Sequence, residues 1–128
     1  MSEPGVATAA MVRHAYERVG QGNPASLFGM VFVLEGTSVA LALNAADRIQ
    51  QTLQLPTSAF SYLRSHGELD QEHVGDLEGI LGHLTDEADR AAVIRCAKGV
   101  FWLYGKMFRG LEADVAAKRD ATPARLRA

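Results

Sequence analysis

The 128-residue sequence predicts an all-α protein, a helical bundle of about four helices, and three observations carry that reading. Apolar residues recur at spacings of three and four along nearly the whole chain, the period of one helix face. Strand signals are nearly absent: no alternating Val/Ile/Thr run occurs, and no Asn-Gly or Asp-Gly pair marks a hairpin. The clear breakers, "GQGNP" at residues 20–24 and Pro56, lie far enough apart to bound long helices.

The first helix is expected from about Ala7 to Val19, where "GQGNP" stops it. In that breaker Asn23 can cap and Pro24 can take the first helical position, which starts a long second helix running to about Leu53. Pro56 ends it, and Thr57 or Ser58 can cap a third helical region that extends to about Leu84, with Gly67 the point where it can kink. Thr85 reads as the next N-cap, because Asp86, Glu87 and Asp89 crowd the first turn where the helix dipole favours negative charge. The fourth helix is expected to reach about Lys118, with residues 119–128 a frayed tail.

Residues 1–128 are the size of one domain. Apolar residues make up 48% and charged residues 22%, so the chain can bury a core rather than stay disordered. A net charge of −2 with scattered Lys and Arg gives no footprint for nucleic acid, and the group Lys118, Arg119, Arg125 and Arg127 reads as a basic end. Cys96 is the lone cysteine, which excludes an internal disulfide and fits a reducing, cytoplasmic setting. "MSEPGVATAA" has neither the basic start nor the apolar segment of a signal peptide, and no stretch is expected to span a membrane.

The chemistry concentrates in "SHGELDQEH", residues 65–73. On a helix, His66, Asp70 and His73 fall within an arc of roughly 60°. The arc continues through Leu77, Ile80, Leu81 and Leu84, while Glu68, Gln71, Glu72, Gly75, Glu78, Gly79 and Gly82 take the other side. The polar trio is therefore expected to look inward. Glu35 likewise shares its face with Phe28, Val31, Phe32, Val39, Ala42, Ala46, Ile49 and Leu53. Ionised and unpaired in such company it would cost several kcal/mol, so an arginine, a proton or a metal ion must compensate it. Imidazole nitrogens with carboxylate oxygens are the ligand set of first-row metals such as iron, manganese or zinc. The rival reading is an Asp–His ion pair with a spare histidine.

"HGELDQEH" fits the pattern H-x3-D-x2-H, and it follows "FVLEG" and "LQLPTSAFSYL". In that order and spacing, residues 23–111 resemble the C-terminal half of the iron-containing redox enzymes of the heme-oxygenase-like fold, the non-heme diiron oxidases and oxygenases. Thiaminase II-like and pyrroloquinoline-quinone synthase-like proteins share the broader fold. The resemblance implies that His66, Asp70 and His73 are iron ligands, that Glu35 is another, and that dioxygen is activated at two irons to oxidise a small organic substrate. Full-length members bring a further Glu and an E-x2-H pair from an earlier helix. No E-x2-H occurs upstream of residue 66 here, and His14 with Glu17 forms only the reverse order. A second copy or a complementary chain is then expected to complete the bundle. Two alternatives stand beside this: a non-catalytic helical dimerisation module or remnant of the family, and a heme-binding relative of heme oxygenase with His14 as candidate axial ligand.

"RCAKGVFWLYGKMFRGL", residues 95–111, gathers Phe101, Trp102, Tyr104, Met107 and Phe108, and reads as a core and interface stripe with Gly99 and Gly105 allowing close helix contact. A hydrophobic substrate pocket or a subunit interface is the sharper reading, and in a half-domain the interface is the more attractive of the two, with Trp102 on the face through which the non-catalytic module would dimerise. Tyr62 and Tyr104 are candidate neighbours of the site; Asp47, Arg48, Asp89 and Arg90 read as solvated, and His83 as exposed. Cys96 has no neighbouring His or Cys and reads as a small buried hydrophobe. No phosphate loop, zinc knuckle or hydrolase triad is present in the sequence.

Overall fold

Each expected helix is present in the computed structural model, which describes residues 4–121. They are α1 (Val6–Gly20), α2 (Ser26–Leu53), α3 (Ser61–Gly82) and α4 (Glu87–Ala121), with a 3-10 turn at Thr57–Phe60. The described residues contain no strand, so the fold is all-α. Of the expected frayed tail, residues 119–121 continue α4 and residues 122–128 lie outside the described range, as does the basic pair Arg125 and Arg127.

The helix ends differ from the expected caps for local reasons. Asn23 Oδ1 accepts the Ala25 N–H at 2.9 Å, which turns the chain before α2 begins, and Pro24 and Ala25 form the turn itself. The Asn23 amide meanwhile donates to Asp89 Oδ1 at 2.6 Å, pinning the start of α2 to α4. Asp89 is thus a structural acceptor rather than a solvated charge. At α4 the cap is Asp86, not Thr85: its Oδ1 accepts the N–H groups of Ala88 and Asp89 at 2.6 and 3.2 Å. Gln54 closes α2 in the left-handed region at φ 51°, just ahead of Pro56. Neither Thr57 nor Ser58 caps the following turn through its side chain.

The helices pack in the order α3, α2, α4, α1. α2 touches α3 and α4, α1 lies mainly on α4, and among the described residues α3 meets only α2 and the 3-10 turn. Two glycines set the spacing. A Cβ on Gly29 would lie 2.2 Å from the Val93 carbonyl oxygen and 2.9 Å from the Ala97 nitrogen, so α2 and α4 touch backbone to backbone there. Gly67 does not kink α3, which runs unbroken through it. Instead it seats Leu43 of α2, whose Cγ a Cβ would meet at 3.0 Å. Between α2 and α4 the core is Val33, Cys96 and Val100, joined by Met11, Met30, Leu34 and Ala97. Burial pushes the Cys96 thiol above its ordinary value, against the opposing pull of the Arg18 charge and a hydrogen bond with the Met30 backbone.

Two expectations are corrected by this packing. The aromatic stripe of α4 is not core: Phe101, Trp102 and Phe108 are exposed. With Thr37, Leu41 and Arg109 they edge an open groove of about 440 Å3, and Lys106 Nζ sits 3.8 Å over the Trp102 ring. Furthermore α2 is, by length and composition, apolar enough to cross a membrane, which the sequence reading did not foresee. Here it packs between α3 and α4 and carries Glu35 part-way along.

Candidate metal centre

The register of the α2–α3 pair places the site. Gly67 lies against Ala42 and Leu43. The two helices run antiparallel, so each residue further along α3 meets one further back on α2, and His73 comes level with Glu35. His73 Nδ1 is 3.7 Å from Glu35 Oε1 and 3.9 Å from Asp70 Oδ1. Three of the four residues singled out in the sequence are thereby brought together across two helices.

Their burial is graded. Asp70 is 7% exposed, the Glu35 side chain 27%, and the His73 side chain 54%. Among the described residues no hydrogen bond reaches either carboxylate, and His73 is beyond hydrogen-bond distance of both. A nearly buried carboxylate without a donor is costly unless a cation or proton meets it. Donor atoms about 2.1 Å from a tetrahedral ion stand about 3.4 Å from one another, closer than the separations here, and among the described residues no group of three or more such side chains could hold an ion as it stands.

His66 stands apart from the other three. Its ring stacks on Tyr62, with centroids 4.0 Å apart, and its Nδ1 is 3.2 Å from the Tyr62 carbonyl oxygen. In the tautomer that donates there, Nε2 keeps its lone pair, the arrangement that commonly orients a ligating imidazole. Tyr62 serves through its ring and backbone, not through a hydroxyl reaching a carboxylate. The sequence reading missed that role, although the four-residue spacing of Tyr62 and His66 was its signal.

The expectation of a fully inward trio needs correction. α3 buries Gly67, Asp70 and Leu77, whereas His73 and Ile80 are exposed and His66 is half-buried. With α2 as its one helical neighbour among the described residues, α3 buries only a narrow stripe centred between Asp70 and Val74. The histidines fall at its edge. Elsewhere, His14 Nε2 is buried without a partner, its ring pressed to Gly99, where a Cβ would lie 2.5 Å away. His83 is exposed and bonded to the Gly79 carbonyl, as a surface residue.

A model of the family described as iron-containing redox enzyme matches residues 2–105, most of the chain. The chain belongs to that family. The match takes in α1 as well as the α2–α3 pair that holds the cluster, and so begins further upstream than the sequence resemblance did. No curated protein and no solved structure matches the chain. Membership in an iron-containing redox family agrees with a donor set of carboxylate oxygen and imidazole nitrogen.

Proposed function

We propose that this member of the iron-containing redox enzymes is a non-heme, diiron oxidoreductase that turns dioxygen on a small organic substrate, with Glu35, Asp70, His73 and His66 as its ligands. The observation that carries the reading is the convergence of Glu35, Asp70 and His73, with Asp70 nearly buried between α2 and α3. Iron, when bound, supplies the one-electron chemistry that dioxygen requires. The protein's own residues hold and tune it. Asp70 and Glu35 would contribute carboxylate oxygens from α3 and α2. His66, fixed by Tyr62, presents Nε2, and the exposed His73 ring is free to turn toward the carboxylates. A reducing, cytoplasmic location fits the single buried cysteine.

The test is iron content after anaerobic loading with ferrous iron, followed by oxygen uptake with a chemical reductant. Iron at about one or more per chain is expected, and the His66→Ala/His73→Ala double variant should lose it. A double variant that keeps its iron would refute the assignment. A wild-type protein that never binds iron would favour the non-catalytic helical module instead.

A further inference from the structure

Between Ile94 and Arg109 the exposed positions of α4 are of two kinds. Four are apolar: Ile94, Phe101, Trp102 and Phe108, at 53%, 63%, 56% and 46% exposure. The other four are basic: Arg95, Lys98, Lys106 and Arg109. At about 100° per residue they all fall within an arc of roughly 160°, centred opposite the buried Ala92, Val93, Cys96 and Val100. Charge is segregated along the sequence as well. Residues 90–111 hold five of the chain's 13 basic residues and none of its 15 acidic ones, so the remainder carries a net −7. The cations sit among the rings: Lys106 Nζ lies 3.8 Å over Trp102, and the Arg109 guanidinium folds back over Gly105, where a Cβ would meet Nη1 at 3.0 Å. The ion pairs among the described residues involve none of these four basic side chains.

We propose that this face of α4 docks on an anionic membrane surface, its rings entering the head-group layer while its four cations meet lipid phosphates and carboxylates. A helix that mixes Trp and Phe with Lys and Arg lies in the plane of a bilayer in this way, without crossing it. The breadth of the face favours a planar partner. Phe101, Trp102 and Phe108 border the open groove toward Thr37 and Leu41, yet Ile94, Arg95 and Lys106 lie outside it. An acidic helix laid in the groove would leave those three uncovered, whereas a flat surface meets the whole arc. Charge selects which surface: the acidic remainder of the chain is repelled by anionic lipid, so attraction is confined to this side. Each Lys or Arg held against such a surface strengthens binding about fivefold. The face is separate from the donor cluster, which lies where α2 meets α3, so the proposal stands independently of the iron reading.

Vesicles of phosphatidylcholine, with and without phosphatidylserine, test this on the whole 128-residue chain by co-sedimentation and by Trp102 emission, Trp102 being the lone tryptophan. The chain should bind only where phosphatidylserine is present. Its emission should move to shorter wavelength as the indole leaves water, and rising salt should release it. Lys98→Gln/Arg109→Gln should weaken binding about 25-fold with an unchanged circular dichroism spectrum. Phe101→Ser is the second variant should the first unfold, and it should weaken binding while leaving the salt dependence in place. Arg13→Gln, which removes one exposed charge from α1, should bind like wild type. The proposal is overturned by a chain that binds neither vesicle, which would leave the face to an acidic protein partner. It is equally overturned by equal binding to both vesicles, by binding without an emission shift, or by a double variant that binds as tightly as wild type.

Discussion

Replacing Gly29 by Ala asks how closely α2 and α4 must approach. The added Cβ would sit 2.2 Å from the Val93 carbonyl oxygen and 2.9 Å from the Ala97 nitrogen, whereas ordinary contact begins at 3.4 Å. Both obstacles are backbone, so no rotamer change relieves them, and the helices must part by about 1 Å at their crossing. A gap of that size forfeits a quarter to a half of the dispersion energy of the atoms it separates. Val33, Cys96 and Val100, packed between the same two helices, would feel it. Overpacking of this kind costs about 3 kcal/mol at the upper end of its usual range. Alanine returns about 1 kcal/mol of helix propensity. The net expectation is a loss of about 2 kcal/mol, or about 7 °C in Tm for a chain of this length. Gly75→Ala and Gly79→Ala serve as controls, because both positions are exposed helix interior with nothing within 4 Å of an added Cβ. Each should gain about 0.5–1 kcal/mol. Denaturant unfolding followed by circular dichroism measures all three. If Gly29→Ala proved as stable as wild type while the controls rose, close backbone contact between α2 and α4 would be wrong.

The Asn23–Asp89 hydrogen bond should show as a coupling of about 1 kcal/mol or more in a double-mutant cycle with alanine at each position, since the acceptor is charged and the pair part-buried. Additive single effects would mean that it contributes nothing to joining α2 and α4. Cys96 carries a pH dependence. Its thiol ordinarily ionises near 9.0 and burial raises that value in the folded chain, so above pH 9 the unfolded state loses its proton first and binds fewer protons than the native state. Stability from this group is full below about pH 9 and falls as pH rises through the native value. Cys96→Ala should flatten that fall relative to wild type in thermal melts between neutral and alkaline pH. Parallel curves would contradict a buried, protonated thiol.

The helices themselves were legible because each carries its own period and stop signals, and the candidate ligands Glu35, His66, Asp70 and His73 stood out as polar groups on apolar stripes. What could not be read locally depends on neighbours distant in sequence. Asp89 reads as solvated from its surroundings in the chain, yet its partner Asn23 lies 66 residues away. The cap at α4 lies one residue on from Thr85, at Asp86, whose carboxylate accepts the N–H groups of Ala88 and Asp89. The facing of α3 is the most instructive case. Periodicity defines an apolar arc but not how many helices will cover it, and an arc wide enough for two neighbours meets one here. Asp70 is covered, His73 is left half-exposed, and Leu69 and Ile80 remain bare beside it. The unclosed donor cluster and the bare apolar flank therefore have one cause.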